Sequence, residues 1–180
     1  MAHVSILGTG TMGQAIASVV GRGDAAPLDG DVVVLAIPYG AVNAVLAERG
    51  DSLAGRIVVD ITNPVNLETF DSLTVPADSS ATAEIAAAQP SSRVLKAFNT
   101  TFAGTLASGT VGPHTTTVLV AGDDADAKSI LAGIVTSGGL YAIDAGPLSR
   151  ARELEGLGFL QISLAANEKI SWTGGFGVVA

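Results

Sequence analysis

An α/β fold built on a doubly wound parallel sheet is predicted by three features of the chain. Short apolar runs recur along it, and segments of helical spacing alternate with most of them. The first run leads straight into Gly8-Thr9-Gly10-Thr11-Met12-Gly13, and a helical pattern follows at once. Strands are predicted over 4–7, 32–37, 57–61, 94–98, 117–121 and 141–144. Their continuous apolar character suits strands covered on both faces. Helices are predicted over 11–20, 41–49, 80–88 and 124–136, and their alternation with the strands argues for parallel crossovers. Asp123-Asp124 reads as the N-cap region of the fourth helix, and Gly138-Gly139 as its end. A last long helix is expected over about 149–170, with Leu154, Leu157, Leu160 and Leu164 at helical spacing. Gly156 and Gly158 on that helix would let another helix approach, which makes it the expected homodimer interface. A glycine-rich tail from Trp172 closes the chain.

The glycine spacing carries a specific chemistry when a strand precedes it and a helix follows. Gly8 permits a tight turn off the strand, Gly10 keeps side chains away from a pyrophosphate, and Gly13 lets the helix lie close to the sheet. Free N–H groups and the dipole at the helix start attract phosphate. Dinucleotide binding is the expectation; the alternative is a glycine-rich packing turn that binds nothing. The arrangement is of the Rossmann type with one departure. That fold places a second strand, and a residue reading the adenosine ribose, about 20 residues after the glycines. Here the first helix ends in Gly21-Arg22-Gly23-Asp24, and a short polar stretch leads directly to Val32. The second strand is missing from the pattern. The first strand, one helix and the strand at Val32 still make a right-handed parallel crossover.

Composition narrows the classes. At 180 residues the chain is expected to be one dinucleotide-binding domain over 1–180, with a C-terminal helix and tail from about 149. No apolar run approaches the roughly 18 residues of a membrane span, and no leader pattern is seen, so cytoplasmic residence without a membrane partner is expected. A net charge of −8 argues against nucleic acid. There is no cysteine, and His3 and His114 lack ligand spacing, so no metal site is expected.

Ligands of open α/β sheets bind outside the carboxyl ends of the strands. Those ends carry Ile37-Pro38-Tyr39-Gly40, Asp60-Ile61-Thr62-Asn63-Pro64, Lys96-Ala97-Phe98-Asn99 and Asp144-Ala145-Gly146-Pro147-Leu148, which together would line one edge with the glycine turn. Each has a plainer reading. Pro38 and Pro64 end strands, Asn63 and Asn99 serve turns, and Tyr39 is a core-rim aromatic. Arg150 and Arg152 read as helix-face charges near Glu153 and Glu155, or as a lure for a phosphate-bearing co-substrate.

Taken together, Gly8–Gly13, Ile37-Pro38-Tyr39, Asp60–Pro64, Lys96–Asn99, Gly122–Asp124 and Asp144–Leu148 resemble the NADP oxidoreductases that act on the deazaflavin coenzyme. The resemblance is nearest to small bacterial dinucleotide-binding members of that group and covers nearly the whole chain. It implies NADP, rather than NAD, held by Gly8, Thr9, Gly10, Thr11, Met12 and Gly13. It implies the nicotinamide near Ile37, Pro38 and Tyr39 and near Ala97, Phe98 and Asn99. It also implies a deazaflavin or flavin as co-substrate. In the family the second strand ends in a Gly-Ser-Arg or Gly-Ser-Lys turn around the 2′-phosphate. Gly21-Arg22 resembles a remnant of that turn, which makes Arg22 the candidate for the 2′-phosphate.

The expected reaction is hydride transfer between NADPH and a flavin-like acceptor. Such chemistry needs orientation and water exclusion more than acid–base groups, so no catalytic side chain is assigned. A cleft bounded by Tyr39, Asn63, Phe98 and Asn99 would take the acceptor, with Asn99 fixing the carboxamide or the acceptor. Lys96 would stabilise charge on the reduced acceptor. The alternative is an NADP-binding regulatory or redox-sensing module without turnover. A third reading, a dehydrogenase of small imines or 2-hydroxy acids, usually needs a larger helical substrate domain.

Overall fold

The computed structural model describes residues 2–20, 28 and 30–179. Strands β1 (Val4–Leu7), β2 (Val32–Leu35), β3 (Ile57–Asp60) and β4 (Arg93–Lys96) lie side by side and parallel. Their register places Leu7, Leu35, Asp60 and Lys96 in one row at the carboxyl edge. Helices α1 (Thr11–Val20), α2 (Val42–Leu53) and α3 (Ala81–Ala88) make the crossovers. After β4 come α4 (Ala103–Ser108), a two-stranded hairpin of β5 (Thr110–Val111) and β6 (His114–Thr115), and then β7 (Thr117–Gly122). Helix α5 (Ala125–Ser137), β8 (Tyr141–Gly146) and α6 (Ala151–Ala166) complete the order.

Alternate residues of each apolar run serve opposite faces. Val32, Val34 and Val59 pack with Ile16 of α1 and Leu131 of α5. Val33, Leu35 and Val58 pack with Leu53 of α2 and Ile85 of α3. Two-sided burial is why these strands lack polar alternation. Helix α5 buries Ala127, Leu131 and Val135 at four-residue spacing. The Asp124 side chain caps it by accepting from the Ala127 N–H at 2.7 Å.

The sheet order is β1-β2-β3-β4-β7-β8, so β1 stands at one end with β2 as its neighbour. Among the described residues no strand occupies its other edge, in keeping with the missing second strand. The expectation of an all-parallel sheet fails at β7, which runs antiparallel to β4. The cause is the connection. Helix α4 has 6 residues, a rise of about 9 Å, too short to carry the chain back to the opposite edge. Strand β7 therefore starts at the carboxyl edge of β4 and runs down, and β8 is parallel to it. Gly146 stands opposite Ala121, which stands opposite Lys96, so the end of β8 shares the carboxyl row as expected, at the other end of the sheet from the glycine turn. Arg150 follows in the short turn after β8, paired with Glu153 at 3.3 Å.

The first turns of helix α6 are fastened at the carboxyl edge by a buried ion cluster. Lys96 is fully buried and donates to Asp60 Oδ2 at 2.8 Å, to Glu155 Oε1 at 2.9 Å and to the Thr62 carbonyl. Glu155 also accepts from the Ala81 N–H at 3.0 Å and the Thr82 N–H at 3.3 Å, at the start of α3. The helix dipole favours a carboxylate at that position. Thr82 Oγ1 bridges to Asp60 Oδ2 at 2.8 Å. With three acceptors around it, Lys96 is a structural cation and does not reach an acceptor molecule, which corrects the role expected of it.

Two substitutions test this frame by urea unfolding. Lys96→Met leaves two carboxylates buried without their cation and is expected to cost about 3–5 kcal/mol. At Gly8, φ is +122° and an added Cβ would lie 2.0 Å from the Ala36 carbonyl oxygen. Gly8→Ala is expected to cost about 2–4 kcal/mol. A loss under about 1 kcal/mol in either variant would contradict these roles.

Candidate functional site

The three glycines of the turn hold three different environments. Gly8 is pressed against Ala36, the first residue beyond β2. Gly13 is pressed against Gly8, with an added Cβ 2.4 Å from the Gly8 carbonyl oxygen. A Cβ added at Gly10 would meet nothing within 4 Å. The first and last therefore serve packing, while the middle one faces open space where a side chain would obstruct a ligand. Thr9, Gly10 and Thr11 are exposed. The leading N–H groups of α1 lack intrahelical acceptors, as at any helix start. The turn is thus a backbone cradle suited to an anion.

Beside it opens a cleft of about 520 Å³, within the range of small-molecule sites. Thr11 and Met12 contribute from the glycine turn, and Ile61, Asn63 and Asn99 from the ends of β3 and β4. Thr101, Phe102, Ala103 and Gly104 line it from the entry to α4, and Ile162, Trp172 and Thr173 from α6 and the tail. No charged side chain is among these residues.

Asn63 and Asn99 are joined reciprocally. Asn99 Nδ2 donates to Asn63 Oδ1 at 2.9 Å and to the Leu154 carbonyl at 2.8 Å. Asn63 Nδ2 donates to the Asn99 carbonyl at 2.9 Å. Both hydrogens of the Asn99 amide are thereby used, and its buried Oδ1 has no partner. Leu154 precedes Glu155, so the ion cluster under α6 also sets the carbonyl that orients Asn99. Gly158 lies over the pair, where an added Cβ would fall 2.4 Å from Asn63 Oδ1. Gly158 therefore admits the two asparagines and not a second helix, which corrects the interface expected of it. Leu154 is buried as well, whereas Gly156 meets nothing within 4 Å and Leu160 is exposed.

The turn that presents Asn99 is conformationally unusual. Phe98 has a φ of +61°, in the left-handed region that bulky residues avoid. Its carbonyl accepts from Thr101 Oγ1 at 2.7 Å and from the Thr101 N–H at 3.2 Å. The Phe98 ring is fully buried and belongs to the core shared with α1 and α5. It does not wall the cleft as expected, and Ala97 is likewise buried. Backbone strain of this kind persists where surrounding structure over-determines it.

Ile37, Pro38 and Tyr39 follow β2 as expected, but none lines the cleft. Ile37 and Tyr39 pack on the core beneath α2 and α3. Tyr39 Oη donates to Glu84 Oε2 at 2.6 Å. Burial and that carboxylate hold the phenol protonated far above its ordinary range. Ile37 and Tyr39 remain half-buried and Pro38 exposed at the carboxyl edge. Arg22 lies outside the described residues. The structure thus gathers Thr11, Met12, Asn63 and Asn99, leaves Thr9 and Gly10 at the cradle, and adds Phe102, Ile162 and the tail. Trp172 had been read only as the start of a tail; a lone large aromatic in a glycine-rich segment was the signal available.

Known proteins resemble the chain in sequence and in fold. A family model described as NADP oxidoreductase, coenzyme F420-dependent, matches residues 19–64. The F420-dependent NADP reductase of Methanocaldococcus jannaschii is 30% identical over 150 residues, covering 81% of this chain and 67% of that protein. A crystal structure of a candidate F420-dependent NADP-reductase from Arthrobacter sp. FB24 superposes with a TM-score of 0.86 at 25% identity, over 100% of both chains. A protein of unassigned function from Sinorhizobium meliloti gives a TM-score of 0.72 at 25% identity, over 83% of this chain and 87% of that one. Sequence and fold together place the chain in the family of coenzyme F420-dependent NADP oxidoreductases.

Proposed function

We propose that this oxidoreductase transfers hydride between NADPH and a flavin- or deazaflavin-like acceptor in the cleft beside the glycine turn. The observation that carries the reading is the conjunction of the open cradle at Gly10 with the unpartnered, buried Oδ1 of Asn99 in the same cleft wall. The residues fit a dinucleotide. Gly8–Gly13 and the first turn of α1 would hold the pyrophosphate, and Asn99 Oδ1 would accept from the amide of the nicotinamide. Arg22 is the residue proposed for the 2′-phosphate. When bound, NADPH supplies the hydride.

The chain's own part is positioning. The Asn63–Asn99 pair offers a fixed acceptor because its donors are already committed. Ile61, Phe102 and Ile162 exclude water, which protects a hydride donor from side reactions and sharpens the polar contact. Among the described residues of the cleft no acidic, basic or histidine side chain is present, in keeping with chemistry carried by the cofactor. A binding module without turnover would not need an apolar cleft next to the cradle. The exposed face of α6 around Gly156 and Leu160 remains the place proposed for a homodimer contact.

Asn99→Ala separates binding from chemistry. Single-turnover mixing with NADPH is expected to show hydride transfer slowed about tenfold or more, the scale of one lost hydrogen bond at the reacting group. NADPH affinity, read from nicotinamide fluorescence, is expected to change by less than about threefold, since the pyrophosphate contacts remain. Equal loss of rate and affinity would overturn the role given to Asn99.

A further inference from the structure

The cleft carries an aromatic wall that the nucleotide does not account for. Trp172 is the chain's only tryptophan and is 52% exposed on the cleft. Its ring centroid lies 5.0 Å from that of Phe102, with the planes tilted by 52°. Phe102 is only 9% exposed, so the core gives the indole a fixed backing.

The tail bearing Trp172 is seated by two independent devices. Thr173 packs on Gly104, where an added Cβ would lie 2.9 Å from Thr173 Cγ2 and 3.3 Å from the Trp172 carbonyl oxygen. Further on, the Phe176 N–H donates to Gln161 Oε1 at 3.1 Å. Gln161 is itself buried and donates to the Thr100 carbonyl at 3.4 Å. Thr100 stands in the same turn as Asn99 and Thr101. The tail is thus tied to the turn that presents the asparagine, and the indole holds a defined place relative to it.

A half-exposed indole costs hydration free energy, and a docked tail could have buried it. Instead it shares a cleft with apolar and uncharged polar side chains and, among the described residues, no charged one. We infer that Trp172 is the stacking face for the ring of the hydride acceptor, and that this subsite selects a planar, uncharged, polycyclic ring by shape and not by charge. The inference rests on the reading of the cleft as a hydride-transfer site. Trp172 touches the acceptor, whereas Gly104 and Gln161 are positioning residues that act through the tail.

Riboflavin, an uncharged tricyclic ring compound, is the probe. Quenching of its fluorescence is followed as the full-length protein is titrated in, with and without NADP⁺, for the parent, Trp172→Ala and Trp172→Phe. Trp172→Ala is expected to weaken riboflavin binding about tenfold, the scale of one lost ring stack. Trp172→Phe is expected to stay within about threefold, because a flat ring remains. NADP⁺ affinity, read from thermal shift, is expected to be the same in all three proteins. Gly104→Ala is expected to weaken riboflavin with the indole still present, by displacing Thr173.

Riboflavin bound equally well by Trp172→Ala, or not bound by the parent at millimolar concentration, would overturn the inference. Equal impairment in the Ala and Phe variants would overturn it too, by reducing Trp172 to a structural prop. Riboflavin binding that depends on Trp172 in a protein that takes no NADP⁺ would support the ring subsite and overturn the nucleotide reading.

Discussion

Burying an ammonium group is the constraint on which the carboxyl edge of this sheet depends. Lys96 ends β4 inside the protein, where an unpaired charge is untenable. Two carboxylates from distant parts of the chain answer it: Asp60, its register neighbour on β3, and Glu155 on α6. The second carboxylate is in turn satisfied by the opening N–H groups of α3. One ionic cluster therefore fastens two strands and two helices at the same point. Leu154 and Gly158 then stand where they fix Asn99 and admit Asn63. The order of causation runs from a buried charge to helix placement to an oriented amide in a cleft.

Much of this was open to reading from the residues. Continuous apolar runs located the strands because both faces of the sheet are covered. The spacing of Gly8, Gly10 and Gly13 assigned a tight turn, ligand access and helix packing in that order; Gly8 has a positive φ, a Cβ at Gly10 would meet open space, and Gly13 is pressed against the turn. Asp124 and the Gly138-Gly139 pair bounded α5 by ordinary capping chemistry. Among the described residues β1 stands at the end of the sheet order, as the short stretch after the first helix leads one to expect.

What escaped the sequence depends on contacts distant along the chain. The reversal of β7 follows from the shortness of α4, and a six-residue helix gives too little periodicity to be seen. The Phe98 ring could not be placed because a positive φ turns the chain within what reads as a continuing apolar strand. Lys96 looked like a free cation at a strand end, since its partners lie 36 and 59 residues away. The tail became a wall of the cleft through Gly104 and Gln161, which no local pattern connects to Trp172.

The start of α1, the asparagine pair and the aromatic wall line one continuous cleft. The most direct measurement is a thermal-shift titration with NADPH and NADH, comparing the parent with Gly10→Val. A Cβ at Gly10 would meet nothing within 4 Å, so a side chain there projects into the open cradle. The expected result is a melting temperature that rises with NADPH concentration in the parent, as ligand binding to the folded state requires. In Gly10→Val that rise should be lost while the starting Tm stays close to the parent's. No rise in the parent at millimolar NADPH, or an equal rise in both proteins, would contradict a nucleotide held at the glycine turn.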